Sequence, residues 1–376
     1  MNEKEVAELR RRFRPDRSSI SHVRGCYVNE QGEIISQFDQ SLGMMTQDET
    51  DRFMAILRKT LSGSIGKNLL DIEFDTEQVV HGQEHKLLMT LRNTALNDEE
   101  AVQSFFQKVI SCVTLESNYV ILLARDAYDV PFRSKDGDRQ DDASNDVFTY
   151  ILCSICPVKP TKPALSYYVQ ENAFHTISPD WVVSQPELGF VFPAFDERST
   201  NLYNALYYTK DITQNQDAFI DTLFRSRAPM PAATQKETFQ EMLCEVLDDD
   251  CRFDVVQGVH DKMRELVELH KASKDPTPLT LPKSALKRML LDCGLSEQNT
   301  DHFDEQFNSS FGEDTELLPK NLIDTRQLEL KTPDVTIRVN PERSDLIKTE
   351  MINGCRYILI CADEGVEVNG INIHIS

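Results

Sequence analysis

The segment from Val79 to Leu91 reads VVHGQEHKLLMTL and sets His81, Glu84 and His85 in an H-x-x-E-H pattern. Inverted zinc peptidases use that spacing. The chemistry needs both imidazoles on one helix face so that they reach a single zinc. Glu84 would then be the general base that activates the metal-bound water. A third protein ligand must come from elsewhere. Glu99, Glu100 and Glu116 follow, and nothing singles one out. Gly82 lies inside the motif, and glycine costs about 1 kcal/mol in a helix interior. A helix that starts after Gly82 throws His81 off the shared face. The preferred reading is a solvated helix start with ordinary histidines. A metal-dependent hydrolase built on His81, Glu84 and His85 is the alternative.

Two further stretches carry candidate binding residues. Arg10, Arg11, Arg12 and Arg14, with Arg17 and Arg24 beyond, form a dense basic cluster. Such a cluster suits phosphate or an acidic partner, and a nucleic-acid-associated regulator is the second alternative. Arginines near a helix C-terminus also complement its dipole, and the others have many acids of this chain to pair with. Intramolecular pairing is the preferred reading. In PAFDERSTNLYNALYY, Asp196, Arg198, Asn201 and Asn204 follow an apolar strand, with Tyr203, Tyr207 and Tyr208 interleaved. Loops of this kind carry binding function. A helix cap at Ser199 or Thr200, with the tyrosines packed inward, explains the same residues.

Other patterns fail at named positions. LSGSIGKN lacks the first glycine and the final Ser or Thr of a phosphate loop. Cys153 and Cys156 form C-x-x-C in a strand-like run, where residues three apart point to opposite faces. SKDGDRQDDASND places Phe132 where the first calcium ligand should stand. LKRMLLDCGLSEQNTDHFDEQF has a helix-turn-helix rhythm, but its second helix carries Glu297, Asp301, Asp304 and Glu305, the wrong charge for DNA.

These residues sit in a chain of 376 residues, long enough for two or three domains. The formal net charge of −22 disfavours nucleic acid and anionic membrane as partners. Nine scattered cysteines, no apolar leader and no membrane-length run point to reduced thiols in a cytoplasmic protein. No cofactor is expected, and the partner is an unidentified protein or small molecule.

Periodicity supplies the elements. Glu3–Phe13 reads as a helix ended by Pro15. CYVNEQGEIISQF reads as a hairpin turning at Asn29 to Gly32. Thr46 and Glu49 form a capping box that opens a helix toward Gly63. NLLDIEF is a strand, and two amphipathic helices follow, the second capped by Asn97. NYVILLARDAYDVPF and VFTYILCSICPV are buried strands, and WVVS and GFVFPAF are further strand pieces. Pro229 and Pro231 punctuate a linker, and Thr234 with Glu237 caps the next helix. Asn353-Gly354 and Asn369-Gly370 mark hairpins in the tail. The expected fold is therefore α+β. A mixed sheet-and-helix domain spans 1–226, a linker 227–234 and a helical segment 235–330. Residues 331–376 form β-hairpins with the option of packing back on the first domain.

RGCYVNEQGEIISQFDQSLG, KTLSGSIGKNLLDI, LLARDAYDVPFRSKDG, YILCSICPVKPTKPALSYY, PELGFVFPAFDERSTNLYNALYYTKD and CADEGVEVNGINI together carry a resemblance. Across nearly the whole chain they resemble a family of cytosolic proteins from anaerobic Gram-positive bacteria, catalogued only as a domain of unknown function. The resemblance implies a bacterial, non-secreted protein and supplies no activity or site residues. The functional expectation is a cytosolic, non-enzymatic binding or interaction protein.

Overall fold

Apolar runs as long as NYVILLARDAY and VFTYILCSICPV leave no polar face for water, so their strands need cover on both sides. The computed structural model describes residues 1–373 except 134–138, 141–146, 178–179, 214–215, 228, 249–250, 276, 297–298, 314, 326, 363–364 and 369. The chain divides into two compact units, Met1–Ala233 with Pro276–Pro278, and Thr234–Asp275 with Leu279–Ser376.

The first unit holds β1 (His22–Val28), β2 (Ile34–Ser41), β3 (Leu69–Glu73), β4 (Tyr119–Asp129), the short pair β5 (Phe132–Arg133) and β6 (Arg139–Gln140), and β7 (Val147–Pro160). The hairpin β8 (Ala164–Tyr168) and β9 (Ala173–Ile177) follows, then β10 (Trp181–Val183), β11 (Leu188–Phe192), β12 (Ala194–Asp196), β13 (Ser199–Asn201) and β14 (Asn204–Thr209). Its helices are α1 (Glu3–Arg10), α2 (Gln47–Lys59), α3 (Thr76–His81), α4 (Gln83–Asn93), α5 (Glu99–Cys112) and α6 (Asp217–Phe224). An eight-stranded antiparallel sheet runs β2-β1-β4-β7-β11-β14-β3, and β10 pairs with β7 beyond the end of β11.

Both faces of this sheet are covered. Leu88 of α4, Phe105 and Phe106 of α5, and Phe219 and Phe224 of α6 pack on Ile121, Leu123, Cys153, Phe190 and Tyr207. Leu9 of α1 with Met54 and Leu57 of α2 packs on Val120, Leu122, Leu152, Cys156 and Leu206. Cys153 and Cys156 thus lie on opposite faces, and the C-x-x-C cannot close on one metal. Burial raises the thiol pKa of Cys26 and Cys112 to about 11 and of Cys156 to about 12. Only thiolate reacts quickly. A thiol reagent at neutral pH is expected to label Cys244, Cys251, Cys355 and Cys361, which are exposed, and to reach Cys26, Cys112, Cys153 and Cys156 only after unfolding. Peptide mapping of the labelled native protein reads this directly, and fast native labelling of Cys153 would contradict it.

Several local expectations need adjustment. α2 starts as expected, with the Thr46 side chain accepting from the Glu49 amide and Glu49 returning to Thr46. α5 is capped by Asp98 rather than Asn97; Asp98 Oδ1 accepts from the Ala101 amide at 3.0 Å. A carboxylate there also meets the positive end of the helix dipole. α1 ends at Arg10, short of Phe13, although Phe13 is still buried.

In the second unit, α7 (Ala232–Leu247), α8 (Phe253–Ser273), α9 (Lys283–Asp292), α10 (Thr300–Phe311) and α11 (Pro319–Leu322) share a core of Phe239, Leu243, Val259, Met263, Leu290, Phe303 and Phe307. Thr234 lies inside α7 rather than at its cap. The strands β15 (Leu328–Lys331) and β16 (Thr336–Val339), β17 (Ile347–Ile352) and β18 (Cys355–Ile360), and β19 (Val366–Val368) and β20 (Ile371–Ile373) form three hairpins. Asn353 and Gly354 both have positive φ, 52° and 81°, as the two-residue turn between β17 and β18 requires. Asn369 lies outside the described residues. Among the described residues no helix is long and apolar enough to cross a membrane.

Candidate functional site

The H-x-x-E-H residues do not converge. Gly82 is extended (φ −67°, ψ 130°), so α3 ends at His81 and α4 begins at Gln83. His81 is exposed, and Glu84 pairs with Lys108 at 3.2 Å. His85 is only 4% exposed, and its Nε2 lies 2.9 Å from the Leu202 carbonyl. A carbonyl only accepts, so Nε2 carries the proton. The His85 ring stands edge-on to Phe74 and Phe192, at 5.1 and 5.3 Å between centroids. Among the described residues no three His, Cys, Asp or Glu side chains gather as a metal site. The aspartates of 136–146 lie outside the described residues.

The arginine cluster is dispersed. Arg12 Nε donates to the buried Asp126 at 3.1 Å. Arg24 makes a two-pronged bond to Glu99 at 2.7 and 2.6 Å. Arg10 Nε donates to the Leu61 carbonyl at 2.9 Å, joined by Nη2. Arg11 and Arg14 remain exposed.

The polar-aromatic stretch forms no helix cap. β12 and β13 make a hairpin whose turn residues, Glu197 and Arg198, have φ of 47° and 60°. Arg198 Nη2 is 3.0 Å from Glu8 of α1 and donates to the Pro131 carbonyl at 3.0 Å. Asn201 Nδ2 donates to Asp196 at 3.2 Å and to Asn204 at 3.1 Å, and Asp196 lies 3.7 Å from the Met1 amino group. α1 meets the polar-aromatic hairpin through Glu8 and the Met1 amino group, while Arg10, Arg12 and Arg24 take their partners from other elements. Tyr207 and Tyr208 are buried, and Tyr203 is exposed.

A large concavity lies elsewhere, beneath α2. It has a volume of about 1080 Å³. Its floor runs across Phe38 of β2, Tyr27 of β1, Val120 and Leu122 of β4, Val158 of β7 and Val183 of β10, which pairs with Val158. Five strands at about 4.8 Å spacing make that floor roughly 19 Å long. Phe53, Ala55 and Ile56 of α2 form the roof, and Trp181 and Val182 flank it. Gly25 pairs with Phe38, and its missing side chain lets the Phe38 ring lie across β1 as part of the floor. Trp181, the single tryptophan, is 56% exposed there. The rim is cationic: Arg10, Arg52, Arg58 and Lys59 against Glu49 alone, and Glu49 is held in the α2 cap. Reading by elements identifies WVV only as a strand piece. The one sequence signal was a lone Trp beside two valines after a polar loop.

An antiparallel α+β sheet, helix-covered on both faces and carrying one ligand-sized apolar groove beneath a helix, is the class of protein these features define. The chain belongs to the family described as Domain of unknown function (DUF4317), whose profile matches residues 1–371. No curated protein matches it.

Proposed function

We propose that this is a non-enzymatic binding protein of a reducing cytosol, and that the groove beneath α2 receives an elongated apolar small molecule. The groove carries the reading. Its volume of about 1080 Å³ lies just above the range typical of small-molecule sites, roughly 300–1,000 Å³. Its floor is continuous apolar surface with a few polar groups at the edge, the usual make-up of a ligand site. Free thiols at all nine cysteines suit a reducing compartment.

Trp181 supplies the readout. Dodecanol, a neutral apolar probe, is expected to shift Trp181 emission to shorter wavelength as the indole leaves water. Val183→Asp places a charge on the groove floor at a partly exposed position and is expected to weaken binding at least tenfold, about 1.4 kcal/mol. Absence of any emission change or binding heat with dodecanol would overturn the reading. So would unchanged affinity in Val183→Asp.

A further inference from the structure

We propose that the ligand of this groove ends in an oxyanion, a carboxylate or phosphate on an apolar chain, received by the Arg10–Arg58 guanidinium pair. This rests on the groove being a ligand site, and it adds the chemistry of the head group.

Charge around the groove runs against the rest of the molecule. The chain carries a formal −22, yet four cations and one carboxylate line this cavity. Arg52, Arg58 and Lys59 make no ion pair among the described residues. That is unlike Arg12 and Arg24, which reach across the fold to Asp126 and Glu99. The C-terminus of α2 favours cations in its last turn, which accounts for Arg58 and Lys59. It does not account for Arg10, which comes from α1 and is pinned beside them by the Leu61 carbonyl. That anchor uses Nε and Nη2 and leaves Nη1 without a partner among the described residues. Burial and the neighbouring Arg58 charge both depress the Arg10 pKa, so two like charges are held together at the groove edge with no acid between them.

An oxyanion relieves that repulsion, and a guanidinium fork matches carboxylate and phosphate geometry. The apolar chain behind the head group would lie along Val120, Leu122, Val158 and Val183. Ser36, Ser62 and Gln185 are the only uncharged polar side chains of the lining apart from Tyr27 and Trp181.

The test compares equal chains with different ends. Laurate, dodecyl phosphate and dodecanol are titrated against the full chain, with Trp181 emission and calorimetry as readouts. At least one anion is expected to bind tenfold or more tightly than dodecanol, and the stronger anion names the head group. The preference is expected to shrink several-fold in Arg58→Gln, an exposed substitution that breaks no hydrogen bond, and to weaken with added salt. Arg10→Gln is expected to act in the same direction. If dodecanol binds as tightly as both anions, or Arg58→Gln leaves the preference intact, the head-group assignment fails while the groove stands. If none of the three binds, groove and head group fall together.

Discussion

Asp126→Ala is expected to cost about 3–5 kcal/mol, because it leaves a partly buried guanidinium without its counter-charge. Asp126 lies on β4, only 2% exposed. Its Oδ1 accepts from the Ser19 amide and hydroxyl, both at 2.7 Å, and its Oδ2 from the Tyr150 hydroxyl at 2.9 Å. Arg12 adds Nε and Nη2 at 3.1 and 3.3 Å, and its guanidinium lies 4.3 Å above the Tyr128 ring. Removing the carboxylate takes the acceptor from the Ser19 amide, the Tyr150 hydroxyl and Arg12 Nε at once in a low-dielectric site. Arg12→Ala is expected to cost less, since the remaining carboxylate keeps Ser19 and Tyr150. The double variant should fall well short of the sum of the two, with a coupling above about 1 kcal/mol. Urea unfolding followed by circular dichroism gives all three values. A loss below about 1 kcal/mol for Asp126→Ala would show that the network is not the clasp its geometry describes. The same network removes Arg12 from any role in gripping a phosphate backbone, since its guanidinium is already committed.

His85→Ala and His81→Ala separate the two readings of the H-x-x-E-H segment. His85→Ala is expected to cost about 2–4 kcal/mol, from the cavity left between Phe74 and Phe192 and from the lost bond to Leu202. His81→Ala should stay within about 0.5 kcal/mol, as exposed substitutions do. Metal content, measured by elemental analysis of protein purified without chelator, should be the same in both variants and the parent. A zinc centre predicts the opposite pattern: both variants lose metal together, and stability follows the metal. Stoichiometric zinc in the parent, lost equally from both variants, would restore the hydrolase alternative.

Much of the local structure was legible because its causes lie within a few residues. The Thr46–Glu49 box and the Asn353-Gly354 turn are chemistry between near neighbours, and both stand where they were read. The break at Gly82 follows from backbone cost alone. Where two capping residues were adjacent, as with Asn97 and Asp98, local pattern did not choose between them. Glu197–Arg198 went unread for a related reason. Neither residue favours positive φ, and the turn is held by Glu8 and the Pro131 carbonyl, both distant in sequence.

What the sequence determined by itself is the class of the fold. Unbroken apolar runs required a sheet covered on both faces, and the spacing of cysteines across one strand excluded a shared metal. What only the tertiary structure decided is which residues meet. The order β2-β1-β4-β7-β11-β14-β3 places β3 at the edge opposite β2, although only residues 42–68, α2 among them, separate them in the chain. Phe38, Val120, Val158 and Trp181 become one surface only through that order. Caps and alternation act over one or two turns of chain. A groove is assembled by strand pairing and helix packing, whose partners lie tens to more than a hundred residues apart.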